Sequence, residues 1–268
     1  MSDLVAECLE LAVSLAREAG AILMEHFDTG VAIDLKGEID PVTELDRRVE
    51  LFLVESIRGR FPGHDFLAEE QTRSRGGCEY RWVIDPLDGT TNYAHGYPCF
   101  TVSIALERQG RPVLGVVFQP ATNEMFRATA GGGAWLGERR LAVSAEAQTL
   151  DRAYLVTGFP YNLRQPGVLE RNLRRFEKIL GASFAVRRDG SAAYDLACVA
   201  AGRFDAFWEE NLNHWDTAAG ELMVREAGGL VTDFSGGTFH GAASKTILAS
   251  ANEKLHEEII AALGDNRH

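Results

Sequence analysis

The chain has 268 residues, 46% of them hydrophobic, and its 39 acidic and 27 basic side chains give a net charge of −12. This length can bury an extensive core, in one large domain or in two tightly joined halves. The acidic balance argues against direct nucleic-acid binding, which needs clustered Lys and Arg, and four cysteines without a C-x-x-C pair argue against a disulfide framework or a zinc site.

The N-terminal half has the pattern of an α+β unit. Its beginning is acidic at Asp3, Glu7 and Glu10, and no apolar run approaches the length of about 18 residues that a membrane span needs, so we expect a cytoplasmic protein without membrane association. Residues 109–112 read as a hairpin turn between two apolar runs. Periodicity predicts helices near 4–27 and 43–59, and strands near 64–68, 80–84, 99–107, 113–119, 124–129 and 134–136.

From about residue 150 the elements alternate, which is the pattern of a layered α/β unit. Strands are expected near 153–157, 183–187, 204–208, 230–232 and 246–249. Helices are expected near 168–180, 191–202, 215–227 and 252–263. No linker separates this part from the first.

Residues 85–92 read D-P-L-D-G-T-T-N and follow the apolar run 82–84. Pro86 fixes its own φ and favours an extended Asp85, so we expect Asp85 to end the strand and to face a crevice. Consecutive amides after Gly89 would form a concavity suited to a phosphate oxygen. The same residue types also make ordinary turns, so further acidic residues are needed before a metal site is indicated.

Two more acidic sites supply them. Glu69 and Glu70 end the apolar segment 66–68, and Asp216 lies in the first turn of the helix expected near 215. Each has an ordinary explanation, because paired Glu are usually solvated and an Asp at a helix start is favoured by capping and by the helix dipole. Hard divalent cations, however, need several oxygen ligands on rigid elements, and the coincidence of three such sites favours a metal.

These motifs resemble those of a known family, the magnesium-dependent inositol monophosphatases. The resemblance rests on D-P-L-D-G-T-T-N at 85–92 and W-D-T-A-A-G at 215–220, and it extends through V-T-E-L-D at 42–46 and G-S-A-A at 190–193. Ala68 stands where many members have glycine. The resemblance implies a layered αβαβα sandwich of the inositol monophosphatase and fructose bisphosphatase type. Its halves would be 1–145, with most metal ligands, and 146–268, which would complete the active site.

The resemblance also implies a set of site residues. Glu69, Asp85 and the carbonyl of Leu87 would hold one Mg²⁺, Asp85, Asp88 and Asp216 would hold a second, and a third, weaker ion would lie near Glu69. The implied catalytic residues are Asp46, Glu69 and Thr90, of which Asp46 and Thr90 orient the attacking water and help to deprotonate it. The implied substrate-binding residues are Leu87, Asp88, Gly89, Thr90, Gly190, Ser191, Ala192, Glu209 and Asp216.

The residues alone leave several of these roles open. Asp46 completes the capping pattern T-E-L-D at 43–46, which favours a structural role. Glu209 follows the run 204–208 and precedes Glu210, so an exposed strand end is the alternative. Lys36 is expected to be solvated rather than to bind phosphate. Arg187 and Arg188 are expected to be surface charge, with an interface or a second anionic group as alternatives.

Charge supports metal-dependent phosphate chemistry. Two like charges 4 Å apart repel by about 4 kcal/mol at an effective dielectric near 20, so an acidic cleft needs bound cations before it accepts a phosphate. Magnesium lowers the pKa of a bound water and stabilises the leaving oxygen. Asp85 and Asp88 are separated by two residues, unlike the D-x-D-G-T of aspartyl-phosphate enzymes, which argues against a covalent intermediate.

The prediction is therefore the magnesium-dependent hydrolysis of a phosphate monoester, an inositol monophosphate or a similar phosphorylated polyol or sugar, by metal-activated water. Fructose-1,6-bisphosphatase, histidinol-phosphatase and 3′-phosphonucleotide phosphatase activities remain alternatives on the same fold. A further alternative is a non-catalytic regulatory binding protein. The resemblance also implies inhibition by lithium and a homodimer, to which exposed aromatics among Tyr161, Phe184 and Trp208 would contribute.

Overall fold

Two β-sheets form the framework of the chain, which a computed structural model describes at residues 3–29, 34–35, 41–42, 44–74 and 76–264. Within these ranges the helices are Asp3–His26 (α1), Glu44–Arg60 (α2), Thr90–Ala94 (α3), Val168–Ala182 (α4), Ala192–Ala200 (α5), His214–Glu226 (α6) and Glu253–Leu263 (α7). Short 3₁₀ turns lie at Leu150–Arg152 and Gly241–Ala243. The strands are Asp34–Leu35 (β1), Pro41–Val42 (β2), Asp65–Ala68 (β3), Tyr80–Asp88 (β4), Thr101–Arg108 (β5), Arg111–Gln119 (β6), Glu124–Thr129 (β7), Gly133–Leu136 (β8), Arg139–Arg140 (β9), Tyr154–Thr157 (β10), Ala185–Arg187 (β11), Ala206–Glu210 (β12), Leu230–Thr232 (β13) and Thr246–Ser250 (β14).

The larger sheet has seven strands in the order β3-β4-β5-β6-β7-β8-β9. Its pairs are antiparallel except β3 and β4, which run parallel. The predicted hairpin between β5 and β6 is present, and its turn residues Gln109 and Gly110 both have positive φ, of 51° and 76°. This is the backbone of a tight two-residue turn whose twist matches that of the strands.

The second sheet has five strands in the order β11-β10-β12-β14-β13 and is mixed. β10 pairs in parallel with β11 and with β12, whereas β14 runs antiparallel to β12 and β13. Helices α5 and α6 lie between the two sheets and share one hydrophobic core with both. The outer faces are covered by α1 and α2 on the larger sheet and by α4 and α7 on the smaller one.

This layering follows from the sequence of each strand. Neighbouring strand residues point to opposite faces, and Trp82 packs with α1 and α2 while Val83 packs with α5 and α6. Phe207 and Trp208 divide in the same way between the central layer and the α4–α7 layer. Both faces of each sheet are therefore buried, as the near-continuous apolar runs predict, and the result is an αβαβα sandwich.

Two expectations about these elements are wrong. β4 does not end at Asp85 but continues to Asp88, and Trp208 is buried in a core, with 5% of its surface exposed, so it cannot serve an exposed interface. The helix α3 and the two-residue strands were not predicted, because they are too short to show a hydrophobic period. No helix in the described part of the chain is long and apolar enough to cross a bilayer.

Candidate active site

One cleft gathers residues that the sequence places far apart. It is bordered by the end of β3, the C-terminal part of β4, the end of β12 and the first turns of α3, α5 and α6. All of the predicted site residues except Asp46 line it, namely Glu69, Asp85, Leu87, Asp88, Gly89, Thr90, Gly190, Ser191, Ala192, Glu209 and Asp216. Asp46 lies directly behind it, hydrogen-bonded to Thr90.

Glu69 is positioned by the parallel pairing of β3 with β4. Ala68 pairs with Ile84, and the amide of Glu69 donates to the carbonyl of Ile84 at 3.2 Å. Because parallel strands end at the same edge of a sheet, Glu69 comes to lie next to Asp85. The two acidic motifs therefore meet in space although the segment of residues 69–79 separates their strands.

An irregularity in β4 brings its two carboxylates to the same side. Asp85 pairs with Ser103 and Asp88 with Thr101, so two residues of β4 lie opposite the single residue Val102. In a regular strand, positions three apart would point to opposite faces. This bulge removes the mismatch, and both Asp85 and Asp88 line the cleft.

Asp88 connects the larger sheet to the start of α5. Its Oδ2 accepts hydrogen bonds from the Ser191 hydroxyl and the Ala193 amide, both at 2.7 Å, at the start of α5. Asp85 is fixed more locally, since its Oδ1 accepts from the Leu87 amide at 3.0 Å. The Ser191 hydroxyl therefore holds a cleft carboxylate in place, and the substrate contact of the turn at residues 190–192 stays a prediction.

Asp216 has the helix-start position that the sequence predicted. Its Oδ2 accepts from the backbone amide of Asn213 at 2.7 Å, while the Asn213 side chain accepts from the amide of Asp216, which completes a capping box at the start of α6. The capping role and the cleft position are both observed, so the structural and functional interpretations of Asp216 are compatible.

The cluster is electrostatically unfavourable as it stands. Burial, followed by the charges of Glu69, Asp88 and Asp216, raises the pKa of Asp85 well above its usual range. Burial also raises the pKa of Asp216, again helped by Glu69 and Asp88. For Asp88, burial raises the pKa although the hydrogen bonds from Ser191 and Ala193 oppose it. A bound cation would relieve this repulsion.

The donor set fits a hard cation. It consists of carboxylate oxygens and one available carbonyl on rigid elements, which is the chemistry that Mg²⁺ prefers. Among the residues that the structure describes, no three His, Cys, Asp or Glu side chains are already arranged to hold an ion.

Asp46 and Thr90 form a pair at the inner wall of the cleft. Asp46 lies on α2 and is fully buried, and the Thr90 hydroxyl lies 3.1 Å from its Oδ1 and 3.0 Å from the Leu87 carbonyl. A carboxylate that accepts from a hydroxyl in this way can hold the side chain in one rotamer. The capping partner Thr43 and Lys36 lie outside the described residues.

Gly89 is required by the turn that follows β4. Its φ is 95°, and a Cβ there would lie 2.8 Å from the carbonyl oxygen of Cys99. This left-handed residue starts α3, so the amides of Thr90 and Thr91 belong to a helix N-terminus, where N–H groups lack intrahelical acceptors. The anion-binding concavity that the sequence predicts would be formed by β4, Gly89 and the start of α3.

Glu209 is a buried residue of β12, and the alternative of an exposed strand end is wrong. Strand alternation separates it from Glu210, which pairs on the other face with Arg171 and Arg175, each at 2.6 Å. Burial raises the pKa of Glu209 to about 8, with Arg188 acting against the rise and Asp88 adding to it. Gly158 makes room for this carboxyl, because a Cβ there would lie within 2.4 Å of Glu209 Cδ.

Sequence reasoning missed one wall of the cleft. Residues 158–161, Arg188 and residues 211–213 also line it, and nothing in their local pattern indicates chemistry. Gly158 follows the buried strand β10, and that strand-end position is the signal that was available. Arg188 was identified in the sequence, with surface charge as the favoured role and an interface or a second anionic group as alternatives.

Comparison with known proteins agrees with this geometry. The model of the inositol monophosphatase family matches residues 4–268. The chain is 43% identical over 258 residues to the Nus factor SuhB of Pseudomonas aeruginosa, covering 94% of each protein. It is 46% identical over 225 residues to the inositol-1-monophosphatase of Rhizobium meliloti, covering 84% of this chain and 81% of the relative. The solved structure of inositol monophosphatase from Anabaena superposes with a TM-score of 0.85 at 39% identity, covering 97% of this chain and 96% of the other.

Proposed function

Because this chain belongs to the inositol monophosphatase family, we propose that it is a magnesium-dependent phosphatase that hydrolyses a phosphate monoester of a small polyol, an inositol monophosphate. The observation that carries the proposal is the meeting of Glu69, Asp85, Asp88 and Asp216 in one cleft beside the amides of the Gly89 turn. Family membership supports phosphatase chemistry in general, and the inositol-1-monophosphatase relatives support the substrate class.

The proposed metal ligands fall into two groups. Glu69, Asp85 and the Leu87 carbonyl would hold one Mg²⁺, Asp85, Asp88 and Asp216 would hold a second, and a third, weaker ion would lie near Glu69. When bound, these ions supply the positive charge that lowers the pKa of a water and neutralises phosphate and leaving oxygens.

The chain's own groups have separate tasks. Asp46 fixes the Thr90 hydroxyl, and this pair, together with Glu69, would orient the attacking water and receive its proton. The Gly89 and Thr90 amides would donate to phosphate oxygens. Water attacks phosphorus in line with the leaving alcohol oxygen, and the P–O bond to the alcohol breaks without a covalent enzyme intermediate.

Substrate hydroxyls would be held by Glu209 and the Gly190–Ala192 turn. A buried carboxyl whose pKa is raised to about 8 can donate or accept a hydrogen bond near neutral pH. This property suits a polyol, whose hydroxyls are donors and acceptors at once. Gly158, which leaves space for Glu209, would be part of the same wall.

Phosphate release from a substrate panel tests the proposal. The panel contains inositol 1-phosphate, fructose 1,6-bisphosphate, histidinol phosphate and adenosine 3′,5′-bisphosphate, with Mg²⁺ or with chelator. We expect Mg²⁺-dependent release that is fastest with inositol 1-phosphate and is inhibited by lithium. Asp88→Asn should lower turnover by roughly 100-fold or more, as loss of a group that stabilises the transition state does. Release that survives chelation, or near-native turnover of D88N, would refute the metal assignment.

A regulatory role is the second candidate, and it rests on the relatives named Nus factor SuhB. The net charge of −12 favours a protein partner over direct contact with nucleic acid. Pull-down of transcription proteins by native protein and by D88N would test it. If native protein and D88N recover the same amount of a transcription protein, the regulatory role belongs to a surface outside the cleft. If neither recovers any, the regulatory candidate is refuted.

We also propose a homodimer. Leu169, Leu173 and Leu180 form an exposed apolar stripe along α4, and Phe184 beyond its end is 73% exposed. Such a stripe on the exposed side of a helix whose other exposed residues are mostly polar is typical of an interface. Light scattering after gel filtration should give twice the chain mass for native protein and a monomer for Leu173→Glu, and a monomeric native protein would refute the proposal.

A further inference from the structure

One buried carboxylate has no part in the reaction proposed above. Glu50 belongs to α2, one helical turn after Asp46, and only 2% of its surface is exposed. Its Oε2 accepts from the amide of Glu70 at 2.6 Å, and its Oε1 accepts from the amides of Gln71 and Thr72 at 2.9 and 2.8 Å. A single carboxylate therefore satisfies three consecutive backbone donors of the segment that follows β3.

This segment folds back on β3 as a tight turn. The amide of Ala68 donates to the carbonyl of Thr72 at 2.8 Å, so residues 69–71 form the tip, and Glu69 at its start lines the cleft. Gln71 is exposed, and water can satisfy backbone donors at such a place. Burying a carboxylate behind the tip costs desolvation, so satisfying the amides does not by itself explain Glu50.

Glu50 fixes the direction of Glu69 through the backbone. The amide of Glu69 donates to the carbonyl of Ile84 at 3.2 Å, which holds the peptide unit before its Cα. The amide of Glu70 belongs to the peptide unit after that Cα, and Glu50 holds this one. Because each peptide unit is planar, holding both of them sets the direction of the Cα–Cβ bond of Glu69, which is the direction in which it lines the cleft.

The other side of the turn is tied to α6. The guanidinium of Arg73 lies over the ring of Trp215, 5.5 Å from the centroid, and such a contact between a cation and an aromatic face is attractive. Trp215 immediately precedes Asp216 on α6. The turn thus lies between the helix that carries Asp46 and the helix that carries Asp216, and Glu50 is its link to the first of them.

Asp65 offers a matched control. It is also buried, with 8% of its surface exposed, and its oxygens accept from the amides of Gly76 and Cys78 at 2.6 and 3.2 Å. Both carboxylates therefore hold backbone amides of the connection between β3 and β4. Asp65, however, begins β3 and precedes Glu69 by four residues, which is about 13 Å along a strand.

We propose that Glu50 is a positioning residue for the metal site: it holds Glu69 in the direction that a bound cation needs, without touching the cation itself. The proposal rests on the function proposed above, which assigns Glu69 to Mg²⁺. Residues that orient a metal ligand typically change metal affinity by about 10- to 100-fold when they are removed. Glu50 orients its ligand through the backbone, by three hydrogen bonds to a charged acceptor.

The competing explanation is that Glu50 only stabilises the folded chain. In that case its loss would lower Tm, and any effect on Mg²⁺ binding would be independent of Glu69. A residue that acts through Glu69 instead has no effect on binding once Glu69 is absent. A double-mutant cycle separates these cases, because residues that act as a unit give non-additive changes.

The experiment measures Mg²⁺ binding by isothermal titration calorimetry. We compare native protein with Glu50→Ala, Glu50→Gln, Glu69→Ala, the double variant E50A/E69A and Asp65→Asn. We expect E50A to bind Mg²⁺ about 10- to 100-fold more weakly and E50Q to lie between E50A and native protein, since glutamine keeps one acceptor oxygen. D65N should have a lower Tm but native affinity, and E50A/E69A should bind as E69A does.

Native affinity in E50A, a loss in D65N equal to that in E50Q, or a further loss when E50A is added to E69A would each overturn the proposal. If E50A does not fold, E50Q and the double variant E50Q/E69A take its place in the cycle.

If native protein binds no Mg²⁺, the metal assignment of the proposed function fails, and hydrogen exchange of the amides of residues 70–72 then decides the positioning role. Faster exchange in E50Q than in native protein, with native exchange in D65N, would support this role. The same exchange rates in E50Q and native protein would refute it.

Discussion

Replacing Glu107 with alanine should destabilise the protein by about 3 kcal/mol. Glu107 lies on β5 and is 1% exposed. Its Oε2 accepts from Arg81 Nε and Nη2 at 2.9 and 2.6 Å, and its Oε1 lies 2.5 Å from Nε2 of His214. Breaking a buried pair costs about 3–5 kcal/mol because it leaves a buried polar partner unsatisfied. The lower end applies here, since Arg81 is partly exposed and can turn toward water.

The His214 side chain, in contrast, is buried and cannot turn toward water. Its Nδ1 is already buried without a hydrogen-bond partner in the described part of the chain, and a Cβ on Gly241 would lie only 2.5 Å from that atom. The ring is therefore tightly enclosed and would lose its one polar contact. His214 also begins α6, two residues before Asp216, so we expect weaker Mg²⁺ binding in addition to lower stability.

Differential scanning calorimetry is the appropriate assay. For a chain of this size about 1 kcal/mol corresponds to roughly 2–4 °C in Tm, so E107A should unfold about 6–12 °C below native protein. Glu107→Gln keeps the shape of the side chain and one hydrogen-bond acceptor, so its Tm should lie between the Tm values of E107A and native protein. The control is Glu79→Ala, which removes an exposed ion pair with Arg108 on the neighbouring strand and should change Tm little.

The same variant has a defined pH dependence. Burial opposes ionisation of Glu107, but the hydrogen bonds and charges of His214 and Arg81 outweigh it and hold the pKa of Glu107 below its usual value. A depressed carboxyl pKa contributes stability above the unfolded-state pKa, and this contribution is lost as the pH falls through the folded-state pKa. The Tm difference should be full at neutral pH and shrink in acid. A difference no larger than that of E79A at pH 7 would refute the reasoning.

Two other substitutions probe buried carboxyl groups. Ser191→Ala removes the 2.7 Å hydrogen bond to Asp88; a bond to a charged group contributes about 1.5–3 kcal/mol, so calorimetry should show roughly 10- to 100-fold weaker Mg²⁺ binding, and native affinity would contradict the positioning role. Glu221→Gln should raise Tm at pH 8 but not at pH 4. Burial raises the pKa of Glu221 to about 7, so the native protein loses stability as the pH rises from the ordinary carboxyl pKa of about 4.3 to about 7. Equal Tm changes at both pH values would be evidence against this.

The sequence was sufficient to predict the overall architecture. Long periodic segments such as α1 and α4 and the alternating strands were predicted within a few residues, and the family resemblance and the layered fold are confirmed. The five-residue helix α3, the 3₁₀ turns and the two-residue strands were missed, because a hydrophobic period needs more residues than they contain. The family motifs also identified the residues that meet in the cleft, although their individual roles remain predictions.

The direction in which each side chain points was harder to predict from the sequence than the order of the elements. The sequence could not reveal the bulge that turns Asp85 and Asp88 to one face, since a bulge depends on the register with β5. It could not decide whether Glu209 or Glu210 faces the cleft, because both follow an apolar run and only the packing of α4 on one face settles it. Arg188 and Arg187 are indistinguishable in sequence for the same reason.

The arrangement of the acidic cluster explains how the fold tolerates its own repulsion. Asp85, Asp88 and Asp216 each accept a backbone N–H, from Leu87, Ala193 and Asn213 respectively. A backbone donor is fixed by the strand or helix to which it belongs, so each carboxylate is oriented by an element that the core already stabilises. Removing the side-chain donors alone should loosen the cluster without unfolding it, whereas altering the bulge or the helix starts should abolish it. The ordinary capping and turn roles of these residues are therefore the means by which the cleft keeps several like charges together.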